Sequence, residues 1–178
     1  MDAFEQQLIR LAPRLRRHAR GLTGDGALAD DLVQDTLERA LRFRWRFHLR
    51  PGTWWGDGAD GLFPWLLTIM HRLRLNTLRR KDLVAYTDTP PEVAAPETEP
   101  GLRLDLEQAL AQLPEAQRAV LLMVSLEQLS YAETARVLGI PPGTVMSRLS
   151  RARERMRALL GTAPGTGAAS DTSLQRVK

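Results

Sequence analysis

Residues 129–156 read LSYAETARVLGIPPGTVMSRLSRARERM, and they contain the signals for two short helices joined by a tight turn. Ser130 followed three residues later by Glu133 is the pattern of a capping box, which predicts a first helix over 131–138. Gly139 suits the left-handed residue that ends a helix, and the proline pair after it suits the start of the next helix. This order predicts a helix-turn-helix unit.

The second helix of this unit has two different sides. Its inward side carries apolar residues at steps of four and three: Val145, Leu149, Ala152, Met156 and Leu159. Its outward side carries hydroxyl and guanidinium groups: Thr144, Ser147, Arg148, Arg151 and Arg155. Such groups suit base edges and phosphates, and the second helix of a helix-turn-helix can enter a DNA major groove. A solvated arginine face on an ordinary helix hairpin is the alternative, but the agreement of cap, turn and charge favours DNA contact.

The whole chain has the composition of a globular protein. Of its 178 residues 43% are apolar and 26% are charged, and the absence of cysteine excludes disulfides and thiolate metal sites. The first residues lack the pattern of a secretion signal, and the longest apolar run, 119–124, is too short to cross a bilayer. We therefore expect a cytoplasmic protein without membrane insertion.

Charge and proline content divide the chain into segments. Residues 82–101 hold five acidic residues, four prolines and no Lys or Arg, whereas the segments before and after them are basic. We expect a first lobe at 1–81, a flexible linker at 82–101, a second lobe at 102–160 and a disordered tail at 161–178. Basic lobes favour a polyanionic partner such as nucleic acid, although a need for solubility alone would give the same charge.

Both lobes have helical periodicity and no convincing strand pattern, so the predicted fold is all-α. The first helix carries these apolar residues on one side: Leu8, Leu11, Leu15 and Ala19. The second, over 27–45, turns another set inward: Ala29, Val33, Thr36, Leu37 and Ala40. Its opposite side is acidic and polar: Asp31, Gln34, Asp35 and Glu38. A third helix over 62–81 follows a loop rich in glycine and proline.

Three segments together resemble the sigma-70 family of bacterial RNA polymerase sigma factors. They are ADDLVQDTLERAL (29–41), FPWLLTIMHRLRLNTLRRK (63–81) and LPEAQRAVLLMVSLEQLSYAETARVLGIPPGTVMSRLSRARERMR (113–157). Their order is similar to that in the small extracytoplasmic-function (ECF) group, which has only the second and fourth sigma domains. The resemblance implies an initiation factor, monomeric when free, that binds core RNA polymerase and promoter DNA and is held inactive by an anti-sigma factor.

The resemblance also assigns a polymerase-binding surface and a minus-ten surface. The helix with DDLVQDT would dock on core RNA polymerase through Asp31, Leu32, Gln34 and Asp35. A solvated acidic face is the alternative. The minus-ten element would be bound by aromatic, amide and basic side chains: Trp54, Trp55, Arg72, Asn76, Arg79, Arg80 and Lys81. Because many relatives have Asn in place of Arg72, and because loop 54–61 is longer than usual, the base read there stays open. Trp65, beside leucines, is expected in the core.

In the second lobe the resemblance implies that Thr144, Ser147, Arg148 and Arg151 contact the minus-thirty-five element, with Arg155 on the DNA backbone. Two positions depart from the family pattern. Relatives often carry Lys at the position of Met146 and Ile at the position of Thr134. The first departure removes a phosphate contact, and the second weakens packing slightly.

Two other functions fit part of the pattern. A stand-alone helix-turn-helix regulator would need a dimer interface or a ligand pocket, which the first lobe does not advertise. A sigma-like mimic that sequesters an anti-sigma factor would not need the arginines of the outward side. No catalytic motif competes, and His18, His48 and His71 lie in different segments without metal-ligand spacing. We therefore predict no enzyme activity, metal or cofactor.

Overall fold

The computed structural model describes residues 2–48, 59–85 and 102–161, and within them the side chains of 2–47, 61–80 and 106–161. The predicted contacts of Trp54, Trp55 and Lys81, most of the linker and nearly all of the tail lie outside the described side chains. The regular elements are helices: α1 (Ala3–Thr23), α2 (Gly26–Arg42), α3 (Arg44–His48), α4 (Ala59–Ala85), α5 (Leu102–Ala111), α6 (Glu115–Leu121), a π-helical turn (Leu122–Leu126), α7 (Tyr131–Leu138) and α8 (Pro142–Leu159). The predicted all-α fold is confirmed.

Local caps fix the first two helices of lobe one. The Asp2 carboxylate accepts from the backbone N–H of Glu5, whose side chain accepts from Asp2 N–H, so α1 begins with a capping box. Gly24, with φ 71°, ends α1 in the left-handed conformation, and Asp25 caps α2 through Leu28 N–H at 2.8 Å. The two helices therefore reverse direction within a very short connection.

The boundaries of α2 and α4 differ from those predicted. Phe43, with φ −113° and ψ 21°, ends α2, so residues 44–48 form the separate helix α3 and the prediction of one helix over 27–45 is wrong. Helix α4 is longer than 62–81 at both ends and runs to Ala85, into the predicted linker. Trp65 of α4 packs as expected beside Phe4 and Phe47, with ring centroids 6.4 and 5.4 Å away.

Lobe two contains the predicted helix-turn-helix in α7 and α8. Ser130 and Glu133 form the capping box of α7, and Gly139, with φ 66°, ends that helix. The inward residues of α8 are buried as predicted as far as Met156. Leu159 is 37% exposed, so its inward assignment is wrong. Among the described residues, the apolar cluster that packs α5 and α6 against α8 includes Met156 but not Leu159.

The two lobes pack directly against each other. One hydrophobic core contains residues of α1, α2 and α4 together with residues of lobe two: Ala119, Leu122, Met123, Leu129 and Val137. At Gly21 of α1 an added Cβ would stand 2.8 Å from the Leu122 side chain, so the absence of a side chain permits this approach. The separation into two lobes that the sequence suggests is therefore accompanied by a shared core.

Candidate nucleic-acid and polymerase interfaces

The α8 face consists of Thr144, Ser147, Arg148, Arg151 and Arg155, and it lies opposite the buried stripe of the same helix. Ser147, Arg151 and Arg155 are exposed, whereas Thr144 and Arg148 are half-buried. The Ser147 hydroxyl donates to the Thr144 carbonyl at 3.1 Å. Since Val145 and Leu149 are almost fully buried, packing fixes the rotation of α8 about its axis and turns this face outward.

The α4 face consists of Arg72, Asn76, Arg79 and Arg80, all of which are exposed. Their spacing of four, three and one residues places them along one side of a helix. The opposite side of α4 supplies Leu66, Leu67 and Met70 to the core, each 0% exposed. The helix therefore presents three guanidinium groups and one amide to solvent on a rigid support.

The α2 face consists of Asp31, Gln34 and Asp35, which are exposed, and Glu38 extends it because Gln34 donates to the Glu38 carboxylate at 3.0 Å. Leu32, which the sequence grouped with these residues, is only 8% exposed and packs in the core. The structure thus brings together the three polar members of the predicted polymerase-binding set and places Leu32 beneath them.

An aromatic and cationic cluster between α2 and α4 was not among the predicted site residues. The guanidinium of Arg46 lies over the rings of both Phe43 and Trp45, at 5.0 and 5.1 Å from the centroids. Trp45 is 51% exposed. The alternation of arginine and aromatic residues in RFRWRF (42–47) does predict a surface for single-stranded DNA in this segment, but it does not single out these three residues.

A buried polar cluster between the lobes was also missed. His18 of α1 and His71 of α4 meet with their Nε2 atoms 3.0 Å apart, and Nδ1 of His18 lies 3.3 Å from the carboxylate of Glu127 in lobe two. Arg14 donates from Nε to the same carboxylate at 2.7 Å. The bonded partners are separated by 53 to 113 positions in sequence, so no local motif announces the cluster.

Electrostatics at this cluster favour a neutral His71 and a charged Glu127. Burial, and then the neighbouring His18 and Arg74, hold the pKa of His71 well below its ordinary value. Burial raises the pKa of Glu127, but hydrogen bonds from His18 and Arg14 outweigh it, so the net pKa is lowered. Within the described ranges no group of three or more potential ligands is arranged to hold a metal ion.

A groove of about 1100 Å³ lies between the lobes. Its α1 lining carries the guanidinium groups of Arg16, Arg17 and Arg20, of which Arg16 is paired with Asp30 at 2.7 Å. Its lobe-two lining carries leucines: Leu106, Leu110, Leu122 and Leu126. The lining also includes Asp31 and Gln34 of the α2 face and further acidic residues: Asp25, Glu38 and Glu107. Of the described helices, none is both long and apolar enough to cross a membrane.

Taken together, a helix-turn-helix with an outward arginine face and a second cationic helix define a DNA-binding protein of the helix-turn-helix class. Comparisons with known proteins make this class more specific. The family model for sigma-70 region 4 matches residues 103–156, and the model for the sigma2 domain of PhyR matches residues 8–50.

Full-length relatives agree with both matches. The chain is 36% identical over 166 residues to the RNA polymerase sigma factor CarQ of Myxococcus xanthus, with 90% of each chain covered. It is 33% identical to the ECF RNA polymerase sigma factor EcfG of Rhodopseudomonas palustris, covering 89% of this chain and 86% of EcfG. The sigma factor RpoE of Bartonella quintana, solved in complex with the anti-sigma factor NepR, superposes with a TM-score of 0.73 at 30% identity, covering 91% of this chain and 99% of RpoE.

The chain belongs to the sigma-70 family of RNA polymerase sigma factors, in its extracytoplasmic-function group. It is an alternative sigma factor, and it directs promoter-specific initiation of transcription by core RNA polymerase.

Proposed function

We propose that the α8 face reads the minus-thirty-five element of the promoter as duplex DNA. The observation that carries this assignment is the division of α8 into a fully packed side and an outward side of hydroxyl and guanidinium groups. Arg148, half-buried near the start of the helix, has the restricted position that base-edge contacts require, whereas exposed Arg155 suits a phosphate.

The α4 face would hold the minus-ten element once its strands separate. Arg72 and Asn76 offer hydrogen-bond donors for an unstacked base, and Arg79 and Arg80 offer charge for phosphates one turn further on. The predicted contribution of Trp54 and Trp55 belongs to the same proposal. The exposed ring of Trp45, with the guanidinium of Arg46 over it, adds a stacking surface close in sequence to Trp54 and Trp55.

The α2 face would bind core RNA polymerase. Asp31, Gln34 and Asp35 supply acceptors for charge-assisted hydrogen bonds, and buried Leu32 would hold the helix in register instead of touching the polymerase directly. In this division of labour lobe one is anchored and holds melted DNA, while lobe two grips the duplex upstream. Tethering the two makes modest contacts act together.

The protein acts by binding and carries out no reaction of its own, and its place of action is the cytoplasm, where polymerase and promoter meet. An anti-sigma factor is its natural inhibitor, since RpoE of Bartonella quintana was solved with one. The groove between the lobes, which combines arginines of α1 with leucines of lobe two, suits an amphipathic helix with an acidic side. Arg20→Glu should then weaken inhibition while leaving transcription by the uninhibited protein unchanged.

In-vitro transcription with core RNA polymerase on a promoter library tests the assignment of α8. Arg148→Ala and Arg151→Ala should each reduce selection of the preferred minus-thirty-five sequence by about 5- to 150-fold, since one base contact is worth about 1–3 kcal/mol. Arg153→Ala, an exposed arginine of the same helix off the α8 face, is the matched control. Equal effects of all three would contradict the assignment. Palindrome binding without polymerase would favour a stand-alone regulator.

A further inference from the structure

The two DNA-binding faces, on α4 and α8, must reach promoter elements that are farther apart than the packed lobes allow. That span follows from the proposed function of the α4 and α8 faces. The minus-ten and minus-thirty-five elements are about 25 base pairs apart, which is about 85 Å of duplex. A compact chain of this length has a radius of gyration of about 16 Å. The α4 and α8 faces of a protein with one shared core therefore cannot occupy both elements together, so the lobes must separate before the promoter is bound.

Buried polar contacts, and not only apolar ones, join the lobes. Arg118 of lobe two donates to the carbonyl of Leu22 in α1 at 2.8 Å, and Arg74 of α4 pairs with Glu115 at 3.2 Å. Glu127 accepts from Arg14 while lying only 2% exposed. When the lobes separate, water replaces these partners. Opening therefore leaves no charged group buried and unpaired.

The histidine pair has room for only one proton between its rings. With Nδ1 of His18 donating to Glu127, the 3.0 Å contact between the two Nε2 atoms needs one donor and one acceptor. If both rings were protonated, two N–H groups would point at each other inside the protein. The closed arrangement therefore excludes the doubly protonated pair on geometric grounds. Both histidines belong to lobe one, so the part of this restraint that leaves when the lobes separate is the Glu127 carboxylate on Nδ1 of His18, together with the cover that lobe two gives the rings.

The charged groups around the pair are Glu127 and Arg74, together with the side chains that surround those two. They are Arg14 and Arg17 on α1, Arg74 on α4 with its partner Glu115, and Glu127 with Arg118 in lobe two. Arginine stays protonated, and the pKa of Glu127 is lowered, so neither changes charge between pH 7.5 and 5.5. In that window the buried group of the cluster whose pKa the closed arrangement lowers is His71.

We propose that the closed arrangement is the resting state of the free sigma factor, and that His18, His71 and Glu127 form a proton-sensitive contact that releases lobe two on acidification. The sign follows from the lowered pKa of His71 in the closed state. On opening, the pKa of His71 rises toward the ordinary histidine value of about 6.5, so the open state binds a proton more readily. The closed state is therefore stable above about pH 6.5 and loses stability as the pH falls below that value.

A distance measurement on the free chain tests this without any DNA or polymerase. Because the sequence has no cysteine, Arg10→Cys on α1 and Glu154→Cys on α8 place one dye on each lobe at exposed positions outside every proposed interface. Energy transfer between the dyes should reveal a closed population whose ratio of open to closed molecules rises about tenfold from pH 7.5 to 5.5, the result of one proton taken up. A ratio that changes less than about twofold, or a chain open at every pH, would overturn the proposal.

Two variants assign the response to the cluster. His71→Gln keeps a polar side chain that cannot titrate, so most of the pH response should disappear, while His48→Gln, at the third histidine, should respond as the parent does. An unchanged response in His71→Gln overturns the proposal.

Should that variant fail to fold, Glu127→Gln gives a second test: loss of its charge should open the chain at pH 7.5 while far-UV circular dichroism stays helical. If Glu127→Gln stays closed at pH 7.5, the cluster does not hold the lobes. Promoter selection by α8 could survive either failure, so the two proposals are separable.

Discussion

The helix-turn-helix and the interface between the lobes are stabilised over different distances along the chain. Ser130 caps α7 through Glu133 only three residues away, and the stripe of α8 repeats every three or four residues. At the interface Arg118 reaches Leu22 across 96 residues, and Arg14 reaches Glu127 across 113. Short-range sequence patterns therefore predict the helix-turn-helix. The contacts that hold it against lobe one are visible only in the folded chain.

The largest effect is expected at Arg118, where one buried side chain serves both lobes. Its guanidinium donates to three carbonyls, those of Leu22, Ala111 and Leu113, at 2.7–2.9 Å. Arg118→Met keeps much of the volume but leaves these acceptors unpaired. We expect the free energy of unfolding to fall by about 3 kcal/mol, measured by urea denaturation.

The control for Arg118 is Arg153→Met, the same change at an exposed arginine of α8. It should alter stability by no more than about 0.5 kcal/mol. If Arg118→Met lowered the free energy of unfolding no more than Arg153→Met does, the contacts of Arg118 would contribute nothing measurable to stability. The contrast between local and distant stabilisation would then be lost.

The next effect concerns the ion pair between Arg74 and Glu115, whose side chains are 13% and 23% exposed. Arg74→Glu should put two carboxylates together and destabilise the closed arrangement by about 1–2 kcal/mol, and Glu115→Arg should act similarly. The double variant restores opposite charges and should recover at least half of the loss. A thermal melt of all four proteins gives the coupling energy. Additive losses would show that this pair does not hold the lobes together.

Within the helix-turn-helix, the cap of α7 should have an effect of about 1 kcal/mol. Ser130→Ala removes the hydroxyl that accepts from Glu133 N–H at 3.2 Å and donates to the Glu133 carboxylate at 2.6 Å. The hydrogen bonds from Ser130 hold the pKa of Glu133 below its ordinary value, and that pKa should rise in the variant, as NMR titration would detect. Ser150→Ala, at an exposed position of α8, should change neither quantity.

The same contrast explains what could be predicted from the sequence. The cap at Ser130, the turn at Gly139, the α8 face and the polar side of α2 follow from residues within one or two turns, and the family resemblance added the role of the α2 face and the residues of the α4 face. The π-helical turn Leu122–Leu126 was missed because an uninterrupted apolar run looks the same in either helix type. Yet this turn supplies Leu122 and Met123 to the shared core and precedes Glu127, whose N–H bonds to Leu122 at 3.0 Å. The wider π-helical turn is stabilised only through contacts with lobe one. The sequence of the apolar run contains no information about these contacts.

The smallest effect, and the only one with a stabilising sign, is expected at Thr134. This threonine is 0% exposed, and its hydroxyl has no hydrogen-bond partner in the described part of the chain. Thr134→Val keeps the shape and removes the buried hydroxyl, so stability should rise by about 0.5–1 kcal/mol. Urea denaturation beside Thr77→Val, an exposed threonine on α4, measures it. A loss of stability at Thr134 would mean that its hydroxyl is hydrogen-bonded after all, and the helix-turn-helix would then also depend on a contact that its own sequence does not reveal.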